Sequence, residues 1–219
     1  MSRIRAIIFV KPPQVGQSVL GRRIGASDAA LVYHRLLTRT LRHLKHAGLQ
    51  VSVAVSPDAP EFVRLAAGEG VHSIVRLRGK LGSRLEYVMR HAKNGALLID
   101  SDTPSLDAIL VRHAAQALGF YDLVVGPNWS GGAYLIGLRT PNHAFRLFEN
   151  IRWGGRHMLH DLMARVPYHW VVGLLPVLAD AADKAGLREA AQDHAPPFRR
   201  SSSLGLITMR KRGRSFEAS

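Results

Sequence analysis

Short apolar runs separated by amphipathic helical stretches fill most of this chain, and that alternation restricts its fold more than any other feature. Residues 4–10 form a nearly continuous apolar run stopped by Pro12-Pro13, the pattern of a buried strand. Residues 51–55, 73–77, 96–99 and 122–125 read as four further strands. Residues 12–26 between the first strand and the first helix read as a glycine-punctuated loop. In that helix Ala29, Val32, Tyr33, Leu36, Leu37, Thr40, Leu41 and Leu44 recur at spacings of three and four, which marks one buried stripe. Ser27 or Asp28 is placed to cap it, and Gly48 to end it. Helices are also expected over 60–67 and 81–92, with a third capped by Ser105. Strands alternating with helices predict a mainly parallel sheet of about seven strands.

The pattern changes after Gly131-Gly132. Residues 133–138 read as an inserted or antiparallel strand, followed by helices near 144–150 and 155–166, a strand over 170–175 and a helix over 180–191. Pro196-Pro197, the serines at 201–203 and clustered Arg and Lys predict a basic, flexible tail over 194–219, so residues 1–193 are expected to form one α/β domain. Residues 204–209 are apolar enough to pair with something.

The 219 residues contain no cysteine, which excludes disulfides, cysteine–zinc sites and thiol catalysis. No apolar run approaches the roughly 18 residues of a membrane span, and no signal-peptide core is visible, so a reducing cytoplasm is the expected setting. Thirty Lys and Arg against 16 Asp and Glu give a net charge of +14, a field that favours anionic partners. Six of those cations fall in the last 21 residues. No phosphate-binding G-x-x-x-x-G-K-[ST] exists and no G-x-G-x-x-G follows the first strand, so neither a P-loop nor a dinucleotide-binding reading holds.

Leu97-Leu98-Ile99-Asp100-Ser101-Asp102-Thr103-Pro104 is the most informative stretch. It sets two carboxylates, two residues apart, at the end of a buried strand, and the carboxyl ends of parallel strands are where open α/β sheets bind ligands. Mg²⁺ and Mn²⁺ take hard oxygen ligands, often one or two carboxylates plus substrate phosphates, so Asp100 and Asp102 are candidate metal ligands. The competing reading is a turn or a helix cap. Asn128-Trp129-Ser130-Gly131-Gly132 follows the next strand; its double glycine either lets backbone approach a ligand and offer N–H donors, or makes a tight turn into the strand after it. Lys11, in a loop with Gly16, is placed to hold a phosphate or to sit in solvent.

Six motifs in order make the chain resemble a bacterial family of glycosyltransferase-A-like proteins in the nucleotide-diphospho-sugar transferase superfamily, with molybdenum-cofactor and phospholactate guanylyltransferases as distant relatives. They are Lys11, Pro13 and Gly16 after the first strand; Leu81-Gly82-Ser83-Arg84-Leu85; Ser101 to Leu106; Gly126-Pro127; Gly131 to Leu138; and Leu147 to Trp153. The resemblance spans about residues 4–187 and implies a three-layer α/β/α fold. It also implies a nucleotide held by Lys11, Pro13, Gly16, Arg22, Arg23, Gly82 and Arg84, and an acceptor against Gly131, Gly132, Tyr134 and Trp153. Asp102 and Asp180 are the catalytic candidates, and Mg²⁺ or Mn²⁺ the implied cofactor on Asp100 and Asp102. The expected function is a metal-dependent glycosyl- or nucleotidyltransferase using a nucleotide-sugar or NTP donor and a small-molecule acceptor. Departures from the family pattern stand at Ser130, usually an acid; at Ala182-Asp183 after Asp180; at Asp100, usually glycine; and at Arg22-Arg23, where a lysine is usual. They motivate two alternatives: a non-catalytic nucleotide-binding or scaffold protein and, ranked below it, a basic nucleic-acid binder.

Overall fold

The computed structural model describes residues 4–10, 19–55, 60–71, 73–76, 78–92, 94–141, 146–181, 186, 188, 206–212 and 215–218. These residues build a nine-stranded sheet in the order β3-β2-β1-β4-β6-β5-β7-β8-β9. Its strands are β1 (Arg5–Phe9), β2 (Gln50–Val55), β3 (Ser73–Arg76), β4 (Ala96–Asp100), β5 (Leu123–Pro127), β6 (Ala133–Leu138), β7 (Val171–Leu174), β8 (Ile207–Arg212) and β9 (Ser215–Ala218). The helices are α1 (Val19–Ile24), α2 (Ala26–His46), α3 (Pro60–Gly68), α4 (Leu81–Arg90), α5 (Ala108–Ala117) and α6 (Met158–Arg165).

Among β1 to β7, only β6 opposes the others: β1 is parallel to β2 and β4, β2 to β3 and β5 to β7, while β6 lies antiparallel between β4 and β5. The expected mainly parallel α/β architecture is present. The carboxyl ends Phe9 and Asp100 stand side by side in register, and Val55 and Pro127 end at the same edge.

Alternation along the strands splits the core between the two faces. Leu97 and Ile99 point into one cluster with Leu37, Leu41 and Leu44 of α2 and Leu110 and Val111 of α5. Leu98 points into the other, with Leu85 and Met89 of α4, Leu162 of α6 and Phe148 of the 146–157 segment.

The α2 stripe is buried as its spacing predicts, with Val32 and Tyr33 half-buried at its margin. Its C-terminus closes in a Schellman motif, Leu49 N–H reaching the Leu44 carbonyl and Gly48 N–H the Lys45 carbonyl, with φ 75° at Gly48. The expected caps shift. Gly25, not Ser27 or Asp28, is the N-cap of α2, because the expected loop before it contains α1 and only glycine readily takes the φ of 87° that breaks α1 from α2. Asp107, not Ser105, caps α5, its Oδ1 accepting from Leu110 N–H at 2.8 Å.

Of the helix expected near 144–150, residues 146–150 form turns instead, and 144–145 lie outside the described residues. Within the tail expected to be flexible from residue 194, residues 207–212 and 215–218 instead form β8 and β9, and 194–205 lie outside the described residues. Strand β7 would otherwise be an open sheet edge, and β8 covers it in antiparallel register, Val172 opposite Met209. The Tyr121 and Thr208 hydroxyls meet at 2.8 Å across that seam. Among the described residues no helix is long and apolar enough to cross a membrane.

Candidate active site

At the carboxyl edge of the parallel strands lies a cavity of about 400 Å³. It gathers Arg23 from α1, Asp100 from the end of β4, Asp102 just beyond it, Asn128 and Ser130 after β5, Gly132 and Tyr134 leading into β6, Trp153 from the 146–157 segment, and Asp180 after β7. Of the residues singled out in the sequence, Arg23, Asp100, Asp102, Asp180, Gly132, Tyr134 and Trp153 therefore meet at one place. Lys11, Pro13 and Gly16 lie outside the described residues. Arg22, Gly82, Arg84 and Gly131 stand near but do not line the cavity.

The acids reach the cavity from two distant parts of the chain. Asp102 and Asp180 are both buried, and their segments are tied where Ala181 N–H donates to the Asp102 carbonyl at 2.8 Å. Asp100 accepts from the next backbone N–H, that of Ser101, at 2.8 Å. Asp180 Oδ2 accepts from the Ser130 hydroxyl at 2.7 Å and from Asn128 Nδ2 at 3.3 Å. Ser130, where the resembled family carries an acid, thus supplies a neutral donor to Asp180 in place of a second negative charge.

Asn128 is the organising residue that the motif reading passed over. Its Oδ1 accepts from Gly132 N–H at 2.6 Å, its backbone carbonyl accepts from Gly131 N–H at 3.2 Å, and its amide reaches Asp180. The glycine turn spends both its N–H groups on Asn128, so the expected backbone donors to a ligand are already used. The signal for this role was present: asparagine side chains bond backbone a few residues on and nucleate turns. Gly131 has φ 85°, and a Cβ there would lie 2.4 Å from the Arg156 carbonyl oxygen. Gly82 packs α4 against the 146–157 segment, its missing Cβ leaving room for the Phe148 carbonyl.

Tyr134 is 1% exposed and donates its hydroxyl to the Pro176 carbonyl at 2.9 Å. Burial, aided by the charge of Asp107, pushes its pKa far above the ordinary phenol value, so it is a neutral part of the wall. Arg84 stacks its guanidinium 4.8 Å above the ring of Phe9, a cavity-lining residue. Its Nε and Nη2 are buried without a hydrogen-bond partner among the described residues, and burial lowers its pKa. The 146–157 segment is pinned by Arg152, whose side chain grips Asp161 at 2.8 and 2.7 Å while its backbone N–H donates to the same carboxylate at 3.0 Å.

Among the described residues no three carboxylates or imidazoles are assembled closely enough to hold a metal ion. The donor set nonetheless suits a hard divalent cation: among the described residues three carboxylates and one cation, Arg23, line the cavity, and Mg²⁺ is commonly held by one or two carboxylates plus substrate phosphates.

Among solved structures, the chain is similar to a candidate nucleotide-diphospho-sugar transferase from Desulfovibrio desulfuricans G20, with 28% identity over 92% of each chain and a TM-score of 0.73. It shares its fold with the inositol-1-phosphate CTP transferase from T. maritima, at 12% identity over 90% of this chain and 98% of that one and a TM-score of 0.61. It also shares it with Rv0371c from Mycobacterium tuberculosis H37Rv, solved as a complex with manganese, at 17% identity over 87% and 99% and a TM-score of 0.54. No curated protein matches the chain by sequence. Residues 38–155, more than half of the chain, match the family described as an uncharacterised protein conserved in bacteria (DUF2064), and the chain belongs to that family.

Proposed function

We propose that the protein is a divalent-metal-dependent nucleotidyl- or glycosyltransferase that uses an NTP or a nucleotide sugar as donor. The observation that carries this reading is the convergence of Asp100, Asp102 and Asp180 with Arg23 on one cavity at the carboxyl edge of the sheet. The nucleotidyl and sugar transferases among the structural relatives support it, as does the manganese bound by one of them.

In this reading Asp102 and Asp100 hold Mg²⁺ or Mn²⁺, which when bound neutralises charge on the leaving diphosphate. Arg23 draws the donor phosphates to the cavity mouth, and the net charge of +14 steers the anionic donor toward the protein. Arg84, stacked on the cavity-lining Phe9, adds positive charge behind the phosphates without touching them. Asp180 is held by Ser130 and Asn128 so that its carboxylate keeps one orientation toward the cavity. Lys11, Pro13 and Gly16 complete the nucleotide site.

Thermal unfolding against UDP, GDP and CDP sugars, GTP and CTP, each with Mg²⁺, Mn²⁺ or EDTA, tests the reading. A ligand at 100 times its Kd adds about 2.7 kcal/mol. At roughly 2–4 °C per kcal/mol for a chain of this size, that is a rise of about 5–10 °C. The expected result is a metal-dependent rise with one base, lost in Asp102→Ala. A rise that survives both EDTA and Asp102→Ala identifies a metal-free binding protein and overturns the transferase reading.

A further inference from the structure

The cavity has two chemically different halves. Its polar residues, the three aspartates with Asn128, Ser130 and Arg23, stand at the carboxyl edge of the sheet. Behind them the cavity runs along the sheet face that carries Leu98. Leu98 and Ile136 are cross-strand partners on β4 and β6, and Asp100, two residues beyond Leu98, stands on the same face. Leu81 and Leu85, one turn apart on α4, cover them together with Trp153 and with Met158 at the start of α6. Of these six wall residues only Trp153 has a side-chain group able to hydrogen-bond, its indole N–H. The amides of Gly131 and Gly132 are already committed to Asn128.

From this division we infer that the acceptor is a small alcohol or phenol with an apolar ring or branched body, its hydroxyl at the aspartates and its body against Leu81, Leu98 and Met158. The inference rests on the transferase reading and adds the acceptor's class to it. A free sugar or polyol in the inner half would leave hydroxyls without partners, the situation that makes a site reject a ligand most strongly. An apolar body meets a mainly apolar wall there, with the Trp153 indole and the backbone of Gly154 and Gly155 as the polar exceptions. About 400 Å³ lies near the lower end of the ~300–1,000 Å³ of small-molecule pockets, which suits a single ring or short branched chain beside the donor's phosphates. In the transfer, the acceptor oxygen forms a bond to the donor's anomeric carbon or α-phosphorus. The bond to the departing nucleoside diphosphate or pyrophosphate breaks, and the hydroxyl proton passes to a carboxylate.

Ligand-observed NMR titration of the full chain with Mn²⁺ replaced by Mg²⁺ tests this, using benzyl alcohol and cyclohexylmethanol against glucose and myo-inositol. The nucleotide thermal shift is measured in parallel on the same preparations. The expected result is at least about tenfold tighter binding of the apolar alcohols, the scale at which apolar pockets discriminate. That preference should fall about tenfold in Leu81→Gln, whose half-buried position tolerates the change, and in Met158→Gln as an independent second variant, with the nucleotide shift retained in both. Equal or tighter binding of the polyols with an intact nucleotide shift overturns the acceptor inference alone. Loss of apolar preference in neither variant also overturns it, since the wall named here would not be the binding surface. Absence of any nucleotide shift in the unaltered protein overturns the transferase reading, and the acceptor assignment with it.

Discussion

The two faces of the sheet are covered in different ways. One is covered chiefly by helices, α2, α3 and α5, whose apolar stripes seal a core in which Leu37, Leu41, Leu97 and Leu110 are essentially fully buried. The other is covered by α4, α6 and the turns of the 146–157 segment, and the cavity opens there. Regular helices pack their side chains into the sheet at interior density. A cover made partly of turns, held by a glycine contact and an ion pair, leaves room for a ligand. The candidate site lies on the irregular side.

Adjacent leucines on β4 test that contrast most strongly. Leu97→Ala, on the sealed side, should cost near the upper end of the roughly 2–5 kcal/mol range for such truncations, because it opens a void inside packed core. Leu98→Ala should cost near the lower end, since it enlarges a space that already exists. Urea unfolding of the two variants measures the difference; equal costs would mean that the two faces are equally well packed.

Two glycines in left-handed conformation give the next largest effect. Gly48, ending α2, has open space where a Cβ would go, so Gly48→Ala should carry only the conformational cost of roughly 1–2 kcal/mol. Gly131 adds overlap with the Arg156 carbonyl, so Gly131→Ala should cost more and also displace the segment that covers the cavity. Thermal unfolding together with the nucleotide shift checks both parts. A Gly131→Ala protein with a normal nucleotide shift would separate the turn from the site.

The ion pairs that pin each face give the smallest effect. Arg152 grips Asp161 on the cavity side and Arg42 grips Glu69 on the other; in each case hydrogen bonding to the arginine is the largest cause holding the carboxyl below its ordinary pKa. A depressed carboxyl stabilises the fold above its unfolded pKa, about 4, and that stabilisation fades as the pH falls through the folded value. The Tm deficit of Asp161→Asn should therefore be present at pH 7 and narrow below about pH 4. It should exceed that of Glu69→Gln, because Asp161 also accepts the Arg152 backbone N–H.

Most of the sheet was legible in the sequence because buried strands and amphipathic stripes are written in local periodicity. The 133–138 strand is found at the residues expected, and the turn to antiparallel pairing follows the glycines before it. The candidate site was legible where it sits on or just beyond such elements, as with Asp100 and Asp102. It was less so where it depends on contacts remote in sequence. Nothing local to Asp180 says that it meets Ser130 and Asn128, about fifty residues earlier. The same limit hid β8. A strand that lies between β7 and β9 carries basic residues and a polar lead-in, so composition reads it as tail and its apolar residues say only that it could pair with something.

The hydrogen bond from Ala181 to Asp102 has a consequence for the order in which the molecule is made. The family-matched region ends at residue 155, before β7 and before Asp180, while Arg23 precedes its start. At roughly 5–20 residues per second, the ribosome delivers Asp180 several seconds after Asp102. During that interval β1 to β6 are available to form, but the cavity lacks its third acid and the partner of Ser130. The cavity lining is thus complete only once the 180–181 segment has docked, and on the function proposed above, comparing nucleotide binding by chains ending before and after Asp180 would measure what that docking adds.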